Sequence, residues 1–426
     1  GRKLVKGALR AALKEANPRK LIHSSIRRRG NKLDVCGLKK NLNAFDRILV
    51  VGGGKASGAM AAELEKIVPV DAGAVAVLRG TVHKFKTEKI KLIEAGHPRA
   101  DSGSLKAAKN IMKLAKSAGP SDLVFCLLSG GGSALLSLPA KGIALREKNE
   151  LSMKLMQKGA DINELNVVRR HLSAIKGGGL AKALSNAGRC YSLILSDVVG
   201  NELASIASGP TAADPTRFSD AARILKKYKL WSGKPRRVIE QGMRGKREET
   251  LKELPAHKIR NFIIGSNHTA ILAACQHLAS KGVKMRALAD VKGEARTVAS
   301  EFARMLSKGH SFCAGGETTV VVQGKGKGGR NQELALEVAL KIAGKQCAFA
   351  AMGTDGIDGQ SKAAGAIVDG TTIERAKKLG LDARAFLRNN DSNSFFKKLK
   401  DEIITGPTGT NVNDLMIGLS LSSQTR

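Results

Sequence analysis

The sequence predicts an α/β protein of two domains, a doubly wound and mostly parallel sheet followed by a second, smaller α/β unit. Three observations carry this. Short β-branched runs recur, each stopped by glycines and followed by helical periodicity, the alternation that right-handed βαβ crossovers produce. Aromatic residues make up only 3% of the chain while glycine reaches 47 residues, a composition of aliphatic strands joined by tight turns. The 426 residues also exceed what one core accommodates.

Taken in order, the segment Arg2 to Ile26 has apolar residues at helical spacing (Leu4, Val5, Ala8, Leu9, Ala12, Leu13) and its helix ends near Asn17-Pro18. Arg47-Ile48-Leu49-Val50-Val51 is a strand ended by glycines, and Ala59 to Ile67 resumes helical spacing. Ala74 to Leu78 reads as a strand, Ser102 to Ala118 as a helix, and Leu123 to Leu128 as a buried strand ahead of the helix-prone Ser133 to Ser137. Leu145 to Leu184 reads as long helices, and Leu193-Ile194-Leu195 as another strand. The basic, weakly periodic stretch Trp231 to His257 reads as a surface connection, which divides the chain into domains 1–240 and 241–403. Phe262-Ile263-Ile264 opens the second domain, which continues through Thr318 to Val322, Gln332 to Ile342 and Cys347 to Met352.

The net charge of +35, from 72 basic and 37 acidic side chains, attracts anions without choosing among them. One Trp and two Tyr supply no base-stacking platform, so a dedicated nucleic-acid reader is not expected. Six scattered cysteines without a CxxC pair read as reduced thiols, and no apolar run makes a membrane span or export signal, so a cytoplasmic protein is expected.

The chemistry concentrates at strand ends, where parallel sheets bind ligands. Gly52-Gly53-Gly54-Lys55 follows a strand and opens a helix; outward N–H groups and a mobile ammonium there suit an anion. It is not a Walker A loop, because Ala56 follows the lysine, and as a dinucleotide fingerprint it has Ser57 for the third glycine. Ser129-Gly130-Gly131-Gly132-Ser133 repeats the logic with two hydroxyls. Arg330 and Asn331 start a helix after a Gly/Lys loop, where a guanidinium can clamp carboxylate or phosphate. Asp197, Glu317, Asp355 and Asp358 lie in glycine-flanked turns after apolar runs, oxygen ligands of the kind Mg²⁺ accepts. His97 and His171 are the histidines placed to act as general bases, although each also fits a structural role.

These segments together resemble the glycerate 2-kinase family with a C-terminal MOFRL domain. The resemblance is carried by Val51 to Ser57, Ala95-Gly96-His97-Pro98, Leu128 to Leu135, Asp161 to Asn166 and Ile206 to Thr211. It continues through Gly315-Gly316-Glu317, Gly329 to Glu333, Gly353 to Gly359 and Thr408 to Leu415. It implies a Rossmann-like first domain and a MOFRL-type second domain, with the active site in the cleft between them and segment 404–426 returning to the first. It further implies ATP-dependent phosphorylation of D-glycerate to 2-phosphoglycerate with Mg²⁺ or another divalent cation. By motif, Lys55 and Arg330 are the catalytic pair. Gly52, Gly53, Gly54, Ser129, Gly130, Gly131, Gly132, Ser133, Asn331 and Asn411 bind substrate or phosphate, and Asp197, Glu317 and Asp355 are the metal candidates. Glycerate and ATP are the expected partners, and a homodimer is compatible with the sequence. Departures include Gly179 where relatives carry Arg or Gln, and Asn201 where Asp is common. The competing reading is an NAD(P)H-dependent hydroxypyruvate reductase, supported by the imperfect fingerprint at Gly52 and by Arg79 after the next strand.

Overall fold

The structure is a computed structural model in which residues 1–421 are described. It divides into two compact units, Leu21–Ile264 and a unit formed by Gly1–Lys20 with Gly265–Arg426.

The Leu21–Ile264 unit opens with a three-stranded antiparallel meander, β1 (Ile26–Arg29), β2 (Lys32–Val35) and β3 (Leu38–Asn41). The main sheet follows: β4 (Arg47–Gly53), β5 (Ala72–Leu78), β6 (Ile90–Ala95), β7 (Asp122–Ser129), β8 (Arg189–Leu195) and β9 (Ile259–Gly265), in the order β6-β5-β4-β7-β8-β9. The pairs from β6 to β8 are parallel. Counted from β4 this is the order of a dinucleotide-binding sheet, with its reversal between β4 and β7. Val50, Val51, Phe125 and Leu127 are fully buried, as strands covered by helices on both faces must be. Helices Leu145–Gln157, Ile162–His171, Phe218–Lys227 and Gly233–Met243 pack around a separate core of Leu155, Val168, Leu225 and Ile239.

Two expectations about this unit change. Trp231 to His257 is not merely a connection, because Gly233–Met243 is a helix anchored by buried Val238 and Ile239. Phe262-Ile263-Ile264 lies in β9, the last strand of the first sheet, so the boundary falls later than 240.

The other unit holds β10 (Arg286–Glu294), β11 (Phe312–Thr319), β12 (Cys347–Gly353), β13 (Gly365–Asp369), β14 (Glu402–Ile403) and β15 (Asp414–Ser420), in the order β10-β11-β15-β12-β13-β14. Segment 404–426 was expected on the first domain. Instead β15 lies between β11 and β12, antiparallel to both, and every residue from Asp414 to Ser420 is buried. The uninterrupted apolar run Leu415-Met416-Ile417 needs cover on both faces, which a central strand receives; residues 422–426 lie outside the described residues. The N-terminal helix Arg2–Glu15 also belongs to this unit rather than to 1–240. It buries Val5, Ala8, Leu9 and Ala12, and Arg2 Nη2 donates to Asp401 Oδ2 at 2.9 Å.

Candidate active site

Because the strand order reverses between β4 and β7, the turns that leave them share the crevice where open α/β sheets bind ligands. The first turn is held by the protein itself. Gly52 and Gly53 stay in the ladder opposite Leu127 and Leu128. The N–H groups of Gly54, Lys55 and Ala56 donate to Ala76 O at 3.2 Å, Gly130 O at 2.8 Å and Ser129 Oγ at 3.0 Å. A Cβ on Gly54, whose φ is 154°, would stand 2.1 Å from Ser129 Oγ. The expected amide cradle at this turn is therefore corrected: its donors are used within the protein, one to strand β5 and two in packing the two turns together. Ser129, expected to bind phosphate, is 1% exposed and staples them, with its Oγ also 3.1 Å from Ser57 Oγ. What the first turn presents is the half-buried side chain of Lys55.

The second turn is different. Gly131 has φ 79°, and a Cβ there would meet Lys55 Cγ and His97 Cδ2, each at 3.1 Å. On Gly130 it would stand 2.1 Å from Asp197 Oδ2. Lys55, His97 and Asp197 thus converge on Gly130-Gly131, from segments far apart in the chain. The N–H groups of Gly131, Gly132 and Ser133 find no acceptor among the described residues. Ser133 Oγ is 2.9 Å from Ser208 Oγ, which donates to Asn166 Oδ1 at 3.2 Å. Ala207 and Ser208 hold φ of 52° and 62°, a bend that brings Ser208 to the turn and that the surrounding structure must enforce.

A cavity of about 370 Å³ opens beside this turn, lined by His97, Gly131 and Ser133 and, besides Arg99, by three cations, Lys148, Arg169 and Lys176. Among the described residues no carboxylate lines it. Lys176, 2% exposed, donates from Nζ to Ser133 O at 2.8 Å. Burial, with Lys148 and Arg169 nearby, holds its pKa well below the usual lysine value. Lys148 is 5% exposed, and its Nζ has no hydrogen-bond partner among the described residues. Burial first, then Arg169, brings its pKa down to about 7.

Sequence reading missed these three cations, although one signal was present. Lys148 precedes Leu151 and Leu155 by three and seven residues, so it stands on the buried stripe of its helix, where lysine is costly unless used. His171, by contrast, is structural: it is buried with Nδ1 2.9 Å from Val167 O, and burial lowers its pKa.

In the other unit, Arg330 begins the helix Arg330–Lys341 and is already engaged. Its Nε and Nη2 donate to Asp414 at 2.6 and 3.1 Å, and Nη1 to Glu317. Three of its five donors are used, leaving two for a ligand. The pair holds the guanidinium pKa above its usual value against the opposing effect of burial, while Asp414, 1% exposed, is raised by desolvation. Glu317, expected as a metal ligand, is thus an ion-pair partner of Arg330. Asn331 is 1% exposed, and its N–H and side-chain amide donate to Asp358, which also accepts from Gln332 N at 2.8 Å. Asp358 caps this helix, and desolvation pushes its pKa up to about 6. Asn411 Oδ1 accepts from Asn413 N at 3.2 Å, and Asn331 Oδ1 is buried without a hydrogen-bond partner among the described residues. Asp355 Oδ1 and Asp414 Oδ1 both approach the position of a Cβ on Gly353, at 3.3 and 3.6 Å.

Of the three metal candidates, Asp197 belongs to one unit and Glu317 and Asp355 to the other. Among the described residues no group of three His, Cys, Asp or Glu side chains could hold a metal ion. Mg²⁺ carried on nucleotide phosphates asks for only one or two carboxylates, and single acidic side chains such as Asp197 and Asp355 fit that need. Among the described residues no helix is long and apolar enough to cross a membrane.

An α/β protein whose strand-order reversal gathers a lysine, a histidine and an aspartate around a glycine turn, beside a cationic cavity, falls in the class of enzymes that handle anionic substrates. Residues 4–241 match the family described as Domain of unknown function (DUF4147), and residues 310–414 match the MOFRL family. The glycerate 2-kinase of Pyrococcus horikoshii is 40% identical, over 97% of this chain and 96% of its own. A protein of Agrobacterium vitis provisionally named a hydroxypyruvate reductase is 41% identical, over 87% of this chain and 86% of its own. The crystal structure of glycerate kinase from Thermotoga maritima superposes with a TM-score of 0.87 at 33% identity, covering 99% of this chain and 100% of that one. The chain belongs to the glycerate 2-kinase family with a C-terminal MOFRL domain.

Proposed function

We propose that this protein is a glycerate 2-kinase, transferring the γ-phosphoryl group of ATP to the 2-hydroxyl of D-glycerate. The observation that carries the reading is the convergence of Lys55, His97 and Asp197 on a glycine turn with unengaged N–H groups. Phosphoryl transfer passes through a loose transition state, so catalysis is mainly positioning and charge neutralisation. The hydroxyl oxygen bonds to the γ-phosphorus as the bond to ADP breaks, and the hydroxyl proton is released, leaving 2-phosphoglycerate and ADP. Lys55 holds the glycerate carboxylate or the moving phosphoryl group, Gly131, Gly132 and Ser133 offer donors to phosphate oxygens, and Arg330, in the other unit, keeps two donors for an anion. A divalent cation, when bound, would neutralise phosphate charge, and Asp197, beside the Gly130-Gly131 turn, is a carboxylate that could hold it. A cytoplasmic setting and glycerate and ATP as the partners belong to the same proposal, consistent with six unpaired cysteines. Phosphorus NMR of the product of glycerate and ATP tests the reading: 2-phosphoglycerate is expected, and the 3-isomer or no product would overturn it.

The reductase reading has the dinucleotide strand order in its favour. It lacks the turn that goes with it: the Gly54 to Ala56 amides that would approach a pyrophosphate are bonded to the protein, and Arg79, its candidate for a ribose phosphate, is paired with Asp101. Unchanged NADPH absorbance in the presence of hydroxypyruvate is therefore expected.

A further inference from the structure

The three cations of the cavity beside Ser133 are used by none of the roles above. Lys148 comes from helix Leu145–Gln157, Arg169 from helix Ile162–His171, and Lys176 follows that helix. Buried cations are normally paired with carboxylates, because an uncompensated buried charge is costly. Among the described residues no carboxylate lines the cavity, and the Lys148 ammonium has no hydrogen-bond acceptor. The missing partner must then carry several negative charges and arrive from outside. The cavity has a second character at its rim. Met153 and Met156, on the same helix as Lys148, line it and remain 39% and 49% exposed. Thioethers one helical turn apart form a soft, polarisable surface of the kind that accepts a flat ring. Its volume of about 370 Å³ exceeds what a three-carbon acid fills and lies within the range of about 300–1,000 Å³ typical of small-molecule sites.

We propose that this cavity is the nucleotide pocket: the phosphate chain lies against Lys148, Arg169 and Lys176 and the free N–H groups of the Gly131 to Ser133 turn, and the base lies on Met153 and Met156. The proposal rests on the kinase reading and gives it a place for ATP. It puts the terminal phosphate at Gly131, where Lys55 and His97 also meet. Binding of a polyanion returns the Lys148 ammonium to its ordinary, protonated state. Arg169 and Lys176 face it from the neighbouring elements, and His97 and Arg99 also line the cavity. Binding is then accompanied by proton uptake about one pH unit above 7, where free Lys148 is largely neutral.

Calorimetry on the full chain, with inorganic tripolyphosphate and with ADP as separate probes, tests this. Wild-type protein is expected to bind both, with a heat that depends on buffer ionisation. Lys148→Met, which keeps the bulk of the side chain and removes the charge, is expected to weaken both about ten-fold or more and to abolish the buffer dependence. Met156→Asp is expected to weaken ADP and leave tripolyphosphate unchanged. If Lys148→Met binds both probes as wild type does, the pocket assignment is wrong. A rise confined to the KM for glycerate would make the cavity the acid's site and equally overturn it. Wild-type protein that binds tripolyphosphate through Lys148 yet forms no phosphoglycerate would sink the kinase reading and leave the polyanion pocket standing.

Discussion

Lys148 also makes a prediction about stability, with a sign that depends on pH. Its pKa falls from 10.5 to about 7 on folding, first through burial and then through Arg169. The unfolded chain holds the proton that the folded one gives up, so between these values folding is opposed at about 1.4 kcal/mol per pH unit. The full displacement corresponds to roughly 5 kcal/mol, present below pH 7 and lost as pH rises toward 10.5. Because the long side chain can swing toward water, Lys148→Met should recover about 2–5 kcal/mol, or roughly 5–15 °C in the melting temperature of this unit. Thermal melts of both proteins from about pH 6 to about pH 9 measure it: the variant melts higher at every pH, with a margin that narrows as pH rises. A variant that melts lower near pH 6, or a margin constant across the range, would refute the reasoning. The gain in stability should accompany the loss of nucleotide affinity.

Lys55→Met should fold normally and lose about 100-fold or more in kcat with glycerate, since it removes the charge that the first turn presents; near-normal turnover would exclude Lys55 from the site. Gly131→Ala forces a side chain into φ 79° at about 1–2 kcal/mol and presses its Cβ against Lys55 and His97, so both melting temperature and kcat should fall. Ser129→Ala leaves the buried Ala56 N–H without its acceptor at 3.0 Å and should cost about 1–3 kcal/mol in urea unfolding. Arg330→Met strands Asp414, 1% exposed, and should cost about 3–5 kcal/mol, part of which Asp414→Asn in the same chain restores; equal stability of the single and double variants would contradict the pairing.

The parallel sheet of the first unit was legible because its two central strands, β4 and β7, each announce themselves twice, once by a buried apolar run and once by the glycines that follow. The second unit was less so. Its central strand β15 comes last in the chain, and a run such as Leu415-Met416-Ile417 states that it is buried without stating which sheet buries it. The helix Arg2–Glu15 was identified from periodicity, but the buried face of a helix does not name its partner. At the site, Lys55 and the second glycine turn were found because turn chemistry is local. The functions of the two turns were not separable by sequence, since Gly54 and Gly131 look alike until the acceptor at Ser129 Oγ is seen. Asn331 and Ser129 were taken as ligand contacts because polar residues beside glycines attract that reading, whereas Ser129 accepts from the buried Ala56 N–H and the Asn331 amide donates to Asp358.

The Arg330 cluster and the cationic cavity treat charge in opposite ways, and the difference bears on what each contributes. Arg330 is met by Asp414 and Glu317, so its site is electrostatically closed before any ligand arrives, and a ligand must compete with carboxylates already in place. Lys148, Arg169 and Lys176 are met by no carboxylate lining their cavity, and the chain bears that cost in the folded state. An unpaired buried cation is retained against such a cost only where an anion relieves it during the working cycle. The first arrangement fixes geometry and the second stores affinity for a polyanion. A phosphotransferase needs both: a donor held through its charge, and a reacting group held through its orientation.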